Sequence, residues 1–213
     1  MKTLTKEMQA AITPSRALEL LKEGNKRFVN NLKVNRNLLQ QANETSDGQH
    51  PFAVILSCID SRTSAELIFD QGLGDIFSVR IAGNIINEDI LGSMEFGCKV
   101  AGAKIIVVLG HTKCGAVKGA CDHMEMGNLT VLLNKIRPAV DDEITTLENR
   151  NSNNTQFVEK VATINVKRTV NSIMERSTIL KEMIDKGQIG IIGGTHDIST
   201  GTVTFYSDTM ILH

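Results

Sequence analysis

The sequence predicts a single α/β domain over residues 1–213, with a mostly parallel central β-sheet, an antiparallel edge strand, flanking helices and an N-terminal helical arm over residues 1–34. Three observations carry this reading. Short runs rich in β-branched or aromatic residues, at 52–57, 76–81, 104–109 and 188–193, are separated by helix-like segments, as in βα units around a parallel sheet. After the last run, a turn at Ser199-Thr200-Gly201 leads into an alternating stretch through Tyr206, which suits an antiparallel partner strand. No self-similarity recurs at the roughly 20–50-residue periods of repeat proteins, and no low-complexity tract interrupts the chain.

In chain order, Thr13-Pro14-Ser15 opens a segment in which Leu18, Leu21, Phe28 and Leu32 recur at helical spacing. Pro14 suits a first helical turn, and residues 15–32 read as an amphipathic helix whose apolar stripe needs a covering surface. The polar, aperiodic stretch 35–50 reads as a connector into the main domain. Residues 88–101 read as a helix in which Gly92 and Gly97 allow close approach to the sheet. Further helical patterns fall at 128–137, 144–149 and 155–183, split by Pro138 and by the Asn-rich surface turn 150–154.

Composition narrows the function classes. With 23 Lys+Arg against 24 Asp+Glu the net charge is -1, so neither nucleic acid nor an acidic membrane surface is an expected partner. Hydrophobic residues make up 41%, enough for one sizeable core. The apolar runs Phe52–Leu56 and Ile105–Leu109 fall far short of the roughly 18 residues of a membrane-spanning helix. A soluble protein is expected. The segment Met1 to Glu7 carries no apolar export signal, which makes the cytoplasm the expected location. Four cysteines are too few for a disulfide scaffold at this length and read as thiols or metal ligands.

In an open parallel sheet, functional groups collect beyond the carboxyl ends of the strands. The run Ala53–Leu56 empties into Ser57-Cys58-Ile59-Asp60-Ser61-Arg62, and Ile105–Leu109 empties into Gly110-His111-Thr112-Lys113-Cys114-Gly115. If those strands are neighbours, two thiolates and an imidazole meet, a donor set that suits tetrahedral Zn²⁺ with a fourth position open. Any one of these residues alone reads more readily as a buried thiol or a hydrogen-bonded loop histidine. Their joint placement after two β-type runs is what points to a metal.

Those two segments, together with Ala65 to Asp75, Val79-Arg80-Ile81-Ala82-Gly83-Asn84, Gly24-Asn25-Lys26-Arg27-Phe28 and Asp197 to Gly201, resemble the β-class carbonic anhydrases in order along nearly the whole chain. The resemblance implies a zinc lyase that interconverts CO₂ and water with bicarbonate and a proton, with one Zn²⁺ per chain held by Cys58, His111 and Cys114. It implies attack by zinc-bound hydroxide, oriented by Asp60, with Arg62 gripping the Asp60 carboxylate. Asp60 is also expected to swing onto the zinc as a fourth ligand as pH falls, a closure that activity constant from neutral to acid pH would contradict. Gln49 matches a substrate-binding glutamine that acts in the neighbouring subunit's pocket, and Phe77, Ala82 and Ala103 match pocket-wall positions. The family's shared pockets imply a homodimer or a higher even oligomer, with the arm packed on a neighbouring subunit.

Departures from the family pattern also carry expectations. Some members bind inhibitory bicarbonate through a tryptophan, an arginine and a tyrosine. This chain has no Trp; Ile55 stands at that position, Arg80 matches the arginine, and His196 falls where a tyrosine is frequent. No cooperative inhibition by bicarbonate is therefore expected. Ser57 stands where a smaller residue is common. His50, His123, His196 and His213 are read as non-ligands, and Cys98 and Cys121 as buried thiols. Three rival readings remain open: the same scaffold acting on carbon disulfide or carbonyl sulfide, a metal-free enzyme with a Cys58 nucleophile and His111 base, and a non-catalytic zinc module closed by Asp60.

Overall fold

The computed structural model describes residues 3–212. Their helices are α1 (Lys6–Ala11), α2 (Pro14–Val29), α3 (Leu38–Glu44), α4 (Ala65–Ile68), α5 (Glu88–Glu95), α6 (Gly115–Cys121), α7 (Gly127–Asn134), α8 (Arg137–Asp142), α9 (Thr155–Arg176) and α10 (Thr178–Asp185). The strands β1 (Ala53–Ser57), β2 (Ile76–Arg80), β3 (Ile105–His111), β4 (Gly190–His196) and β5 (Val203–Ile211) form one sheet in the order β2-β1-β3-β4-β5. Every pairing is parallel except that of β5 with β4, as the sequence predicts.

Both faces of the sheet are covered, which explains why β1 and β3 read as continuous apolar runs rather than alternating ones. Val54, Leu56, Ile106, Val108 and Ile191 pack against residues of α5, α9 and α10. On the opposite face Ala53, Ile55, Ile105, Val107, Leu109 and Ile192 meet Ala17, Leu18 and Leu21 of α2, with Ala65, Ile68 and Phe69 beside them. The arm helix therefore seats its apolar stripe on the chain's own sheet. Leu32, counted into the stripe from its spacing, lies past the helix and is 68% exposed.

The Gly24-Asn25-Lys26-Arg27-Phe28 segment is what fastens the arm. The buried Asn25 side chain donates from Nδ2 to the Ile68 carbonyl (3.1 Å) and the Gly201 carbonyl (2.9 Å), and its Oδ1 accepts from the Val203 N–H (2.9 Å). Arg27 Nε and Arg36 Nη1 each reach the buried Asp70 carboxylate at 2.5 Å. Gly24 is needed because a Cβ there would stand 1.8 Å from the Phe69 carbonyl oxygen, so backbone meets backbone. Gly24→Ala is accordingly expected to lower the unfolding free energy by about 3 kcal/mol in denaturant titrations, the upper range of overpacking.

Elsewhere the chain departs from the pattern in readable ways. Residues 144–149 form no helix: the buried Glu143 carboxylate accepts from the N–H groups of Thr145 and Thr146 and from the Thr145 hydroxyl, while Arg150 takes the Val140, Glu143 and Thr146 carbonyls. Those side-chain bonds replace helical ones. The 155–183 pattern is two helices, because Ser177 leaves the helical conformation and its hydroxyl caps α10 by accepting the Leu180 N–H. Asn37 likewise caps α3 inside the expected connector, and Pro138 sits in the first turn of α8 rather than merely ending a helix. The 88–101 helix widens at Phe96–Val100 into a π turn closed by Ala101 N–H to the Phe96 carbonyl. Gly97 there packs close to Val54 and Phe77 as expected, whereas Gly92 faces open space. No helix among the described residues is long and apolar enough to cross a membrane.

Candidate metal centre

Strands β1 and β3 are neighbours and parallel, with Ser57 opposite Leu109, so the segments beyond their carboxyl ends emerge side by side. Cys58 follows β1 directly, and His111 is the last residue of β3. Lys113 then takes a left-handed conformation (φ 58°) that turns the chain into α6, and Cys114 stands at its N-cap with its sulfur free of capping bonds. The ligand atoms of Cys58, His111 and Cys114 all lie within 4.8 Å of one another, and the three residues are 4%, 1% and 2% exposed.

These residues fit a metal ion. His111 Nδ1 lies 2.9 Å from the Thr112 carbonyl, which fixes the proton on that nitrogen and leaves the Nε2 lone pair free. Nε2 is buried without any hydrogen-bond partner, a state that is costly for a polar atom and that a metal would relieve. Two sulfurs and one imidazole are a zinc-type donor set. The two thiols interact directly: the bond from Cys114 holds Cys58 well below the usual thiol range, and the same bond together with burial pushes Cys114 up. Cys58 Sγ also accepts the Gly83 N–H at 3.3 Å. Gly83 has φ 68°, and a Cβ on it would fall 2.5 Å from Ile136 Cδ1, so this donor position requires glycine.

Asp60 and Arg62 form a tight pair. Asp60 Oδ1 accepts from the Arg62 backbone N–H and from Nε, each at 2.9 Å, and Oδ2 accepts from Nη2 at 2.7 Å. Those bonds hold the Asp60 carboxyl far below the usual carboxylate range, with the nearby His111 adding to the effect. Arg80 aligns in the family pattern with an inhibitory-site arginine. In the structure it ties down the loop that carries the ligand and the acid, donating to the Cys58 carbonyl from Nε (3.0 Å) and to the Asp60 carbonyl from Nη2 (2.6 Å). Thr63 donates its hydroxyl to the same two carbonyls.

A cavity of about 270 Å³ opens beside Cys58 and Asp60, walled by Ile59, Ala82, Ala116, Met124, Leu129 and Leu133. Of the expected wall residues Ala82 lines it; Phe77 and Ala103 do not. Phe77 packs edge-on against Phe96 with ring centroids 6.3 Å apart, over Gly97. Ala103 is buried in the core on the α5–α9 side of the sheet. Gln49 lies in an exposed loop outside this chain's cavity. Met124, Leu129 and Leu133 are walls that the sequence reading did not single out.

Ile55 is buried within the sheet, and the Ser57 hydroxyl is buried without a partner. Cys98 and Cys121 are buried thiols outside the cluster, pushed up by burial to about 12 and about 11. His50 sits in a partly buried loop and His123 in a left-handed turn, while His213 lies outside the described residues.

His196 lies opposite His111 in the β3–β4 register, 3% exposed, with neither ring nitrogen hydrogen-bonded. Burial is the main cause that pushes it down to about 4. Between about pH 6.5 and 4 the unfolded chain takes up a proton that the native His196 refuses. Its contribution to stability is thus complete above pH 6.5 and is lost as pH falls. The decline in unfolding free energy across that window is expected to shrink by up to about 3 kcal/mol in His196→Phe, as read by urea titrations at several pH values.

Sheet order, the Cys-His-Cys cluster and the acid–arginine pair define a metal-binding α/β enzyme. The family model for carbonic anhydrase matches residues 53–203, and the chain belongs to that family, in its β class. Carbonic anhydrase 2 of Mycobacterium tuberculosis is 37% identical over 195 residues, covering 88% of this chain and 90% of its own length. The β-carbonic anhydrase CafA of Aspergillus fumigatus superposes with a TM-score of 0.70 at 26% identity, over 91% of this chain and 90% of that one. A tetrameric β-carbonic anhydrase of the ascomycete Sordaria macrospora shares the fold with a TM-score of 0.69 at 23% identity, over 78% and 85% of the two chains.

Proposed function

We propose that the protein hydrates CO₂ reversibly to bicarbonate and a proton at a zinc ion held by Cys58, His111 and Cys114. The observation that carries this is the buried three-ligand cluster with its unpartnered His111 Nε2, next to the paired Asp60 and at the wall of an apolar cavity. Bound there, zinc would supply the Lewis acidity that makes water a nucleophile near neutral pH.

The chain's own residues do the rest. An ionised carboxylate only accepts hydrogen bonds, so Asp60 can orient a nucleophilic hydroxyl by taking its proton and leaving a lone pair toward the cavity. Arg62 keeps Asp60 ionised and fixed in direction, and Arg80 holds the loop on which both ride. The Gly83 N–H bonded to Cys58 tempers the charge on that sulfur. Ala82, Ala116 and Leu129 give an apolar wall suited to an apolar, linear substrate and exclude bulk water from it.

The test is CO₂ hydration by metal-quantified protein across pH. About one zinc per chain, with activity that rises with pH and disappears on chelation, is the expected result. Activity surviving chelation would move the assignment to a thiolate enzyme, and zinc without activity would move it to an altered substrate or a closed site.

The assembly proposed is a homodimer or a higher even oligomer. β2 is an edge strand, and the groove beside it is lined by the partly buried Phe77 and Ile90 and the exposed Phe96, a surface that self-association would cover. Gln49, outside its own cavity, would then serve a partner's. Sedimentation equilibrium is expected to show no monomer at micromolar concentration, and Phe96→Lys is expected to shift the protein toward it.

A further inference from the structure

A second cavity, of about 140 Å³, lies where α9 passes the 81–86 segment and the end of α7, lined by Lys135 on one side and by Asn165, Arg168, Thr169, Ser172 and Arg176 on the other. The five α9 residues fall on one face because their spacing follows the helical turn. No carboxylate lines this cavity, and its donors outnumber the protein acceptors that occupy them.

Arg168 pairs with Asp142 and Arg176 with Glu88, but these carboxylates are 48% and 86% exposed, so the pairs are weak competitors for the guanidinium groups. The Lys135 ammonium has neither an ion pair nor a hydrogen bond among the described residues, although Glu88 feels its charge. The Ser172 hydroxyl also has no protein partner there. Thr169 makes a single long bond of 3.4 Å, to the Asn84 carbonyl.

We propose that this cavity binds a small oxyanion of the phosphate or bicarbonate class. Its volume admits an anion of three or four oxygens and excludes a nucleotide. Two guanidinium forks, an ammonium and a hydroxyl are the donors that recognise such an anion. The cavity connects to the metal centre through Asn165, whose Nδ2 donates to the Gly83 carbonyl at 2.8 Å, while the Gly83 N–H meets Cys58 Sγ. An occupant touching Asn165 would therefore be linked to Cys58 through the Asn165 amide and Gly83. The position is distinct from the Ile55–Arg80 region.

The test is calorimetric titration of inorganic phosphate and, separately, bicarbonate into metal-loaded protein at constant ionic strength, for the wild type and a Lys135→Gln/Arg176→Gln variant. That variant leaves the Cys58–Gly83–Asn165 bonds in place and removes side chains that are exposed or paired only at the surface, so it is expected to melt like the wild type without anion. Saturable binding of either anion that weakens at least about tenfold in the variant supports the proposal. So does an anion-dependent rise in melting temperature that the variant lacks. Ser172→Ala is expected to weaken binding by a smaller factor. Binding that is unchanged in the double variant, as for an anion held at the metal, overturns the proposal, as does the absence of saturable binding.

Discussion

Cys58→Ser is expected to reduce bound metal to below about 0.1 per chain and CO₂ hydration by at least about a thousandfold. Serine replaces a soft thiolate with a hydroxyl that stays protonated near neutral pH, and the proposed set loses one of its two sulfurs. No other thiol takes over, because Cys98 and Cys121 lie outside the cluster, and Asp60 is held on Arg62. The substitution is nearly isosteric, and the serine oxygen can still accept the Gly83 N–H that Cys58 accepts. The metal-free variant should therefore fold, which separates loss of metal from loss of structure. Metal content by mass spectrometry, circular dichroism and stopped-flow hydration on one preparation decide the matter. Cys98→Ser, on the core face away from the cavity, serves as the control that retains metal. A Cys58→Ser protein with a full complement of tightly held metal would remove Cys58 from the ligand set.

That set was legible in the sequence because it depends on two local facts and one topological one. Each apolar run announces a buried strand, each run empties into metal-binding residues, and a parallel sheet collects strand ends at one edge. What the sequence did not reveal is what depends on pairing register or on chain crossings. Arg80 clamps the Cys58–Asp60 loop because it lies opposite Ser57 in the β1–β2 register, a relation no linear motif displays. Met124, Leu129 and Leu133 reach the cavity only because α6 and α7 fold back over it. The arm's seat also escaped, since an apolar stripe signals the need for cover without saying which surface provides it. The failed helix at 144–149 has the same cause: Glu143 and Arg150 outbid the helix with side-chain bonds that depend on their meeting in space.

Asp60→Asn separates orientation from metal binding, and its expected result is retained metal with hydration reduced by about a hundred- to a thousandfold, chiefly in kcat. The three proposed metal ligands are untouched, so about one ion per chain should remain. What changes is the direction of one hydrogen bond. Asp60 in the native site accepts three bonds from Arg62 and has no proton to give. An asparagine can keep its oxygen toward Arg62 only by aiming NH₂ elsewhere, and toward a nucleophile that group donates where the carboxylate would accept. Turned the other way, it sets donor against the Arg62 donors. The first rotamer removes the acceptor that the proposed orientation of hydroxide requires, and the second keeps it only by giving up Arg62 bonds that fix it. Arg62→Lys should be milder, because one ammonium cannot reproduce the paired contacts to Oδ1 and Oδ2 yet keeps the positive charge that favours ionised Asp60. A metal-replete Asp60→Asn enzyme with near-native kcat would confine Asp60 to a structural role. An inactive one, set beside a metal-free Cys58→Ser protein, would show that holding the ion and aiming the nucleophile are separate tasks carried by residues two positions apart on one loop.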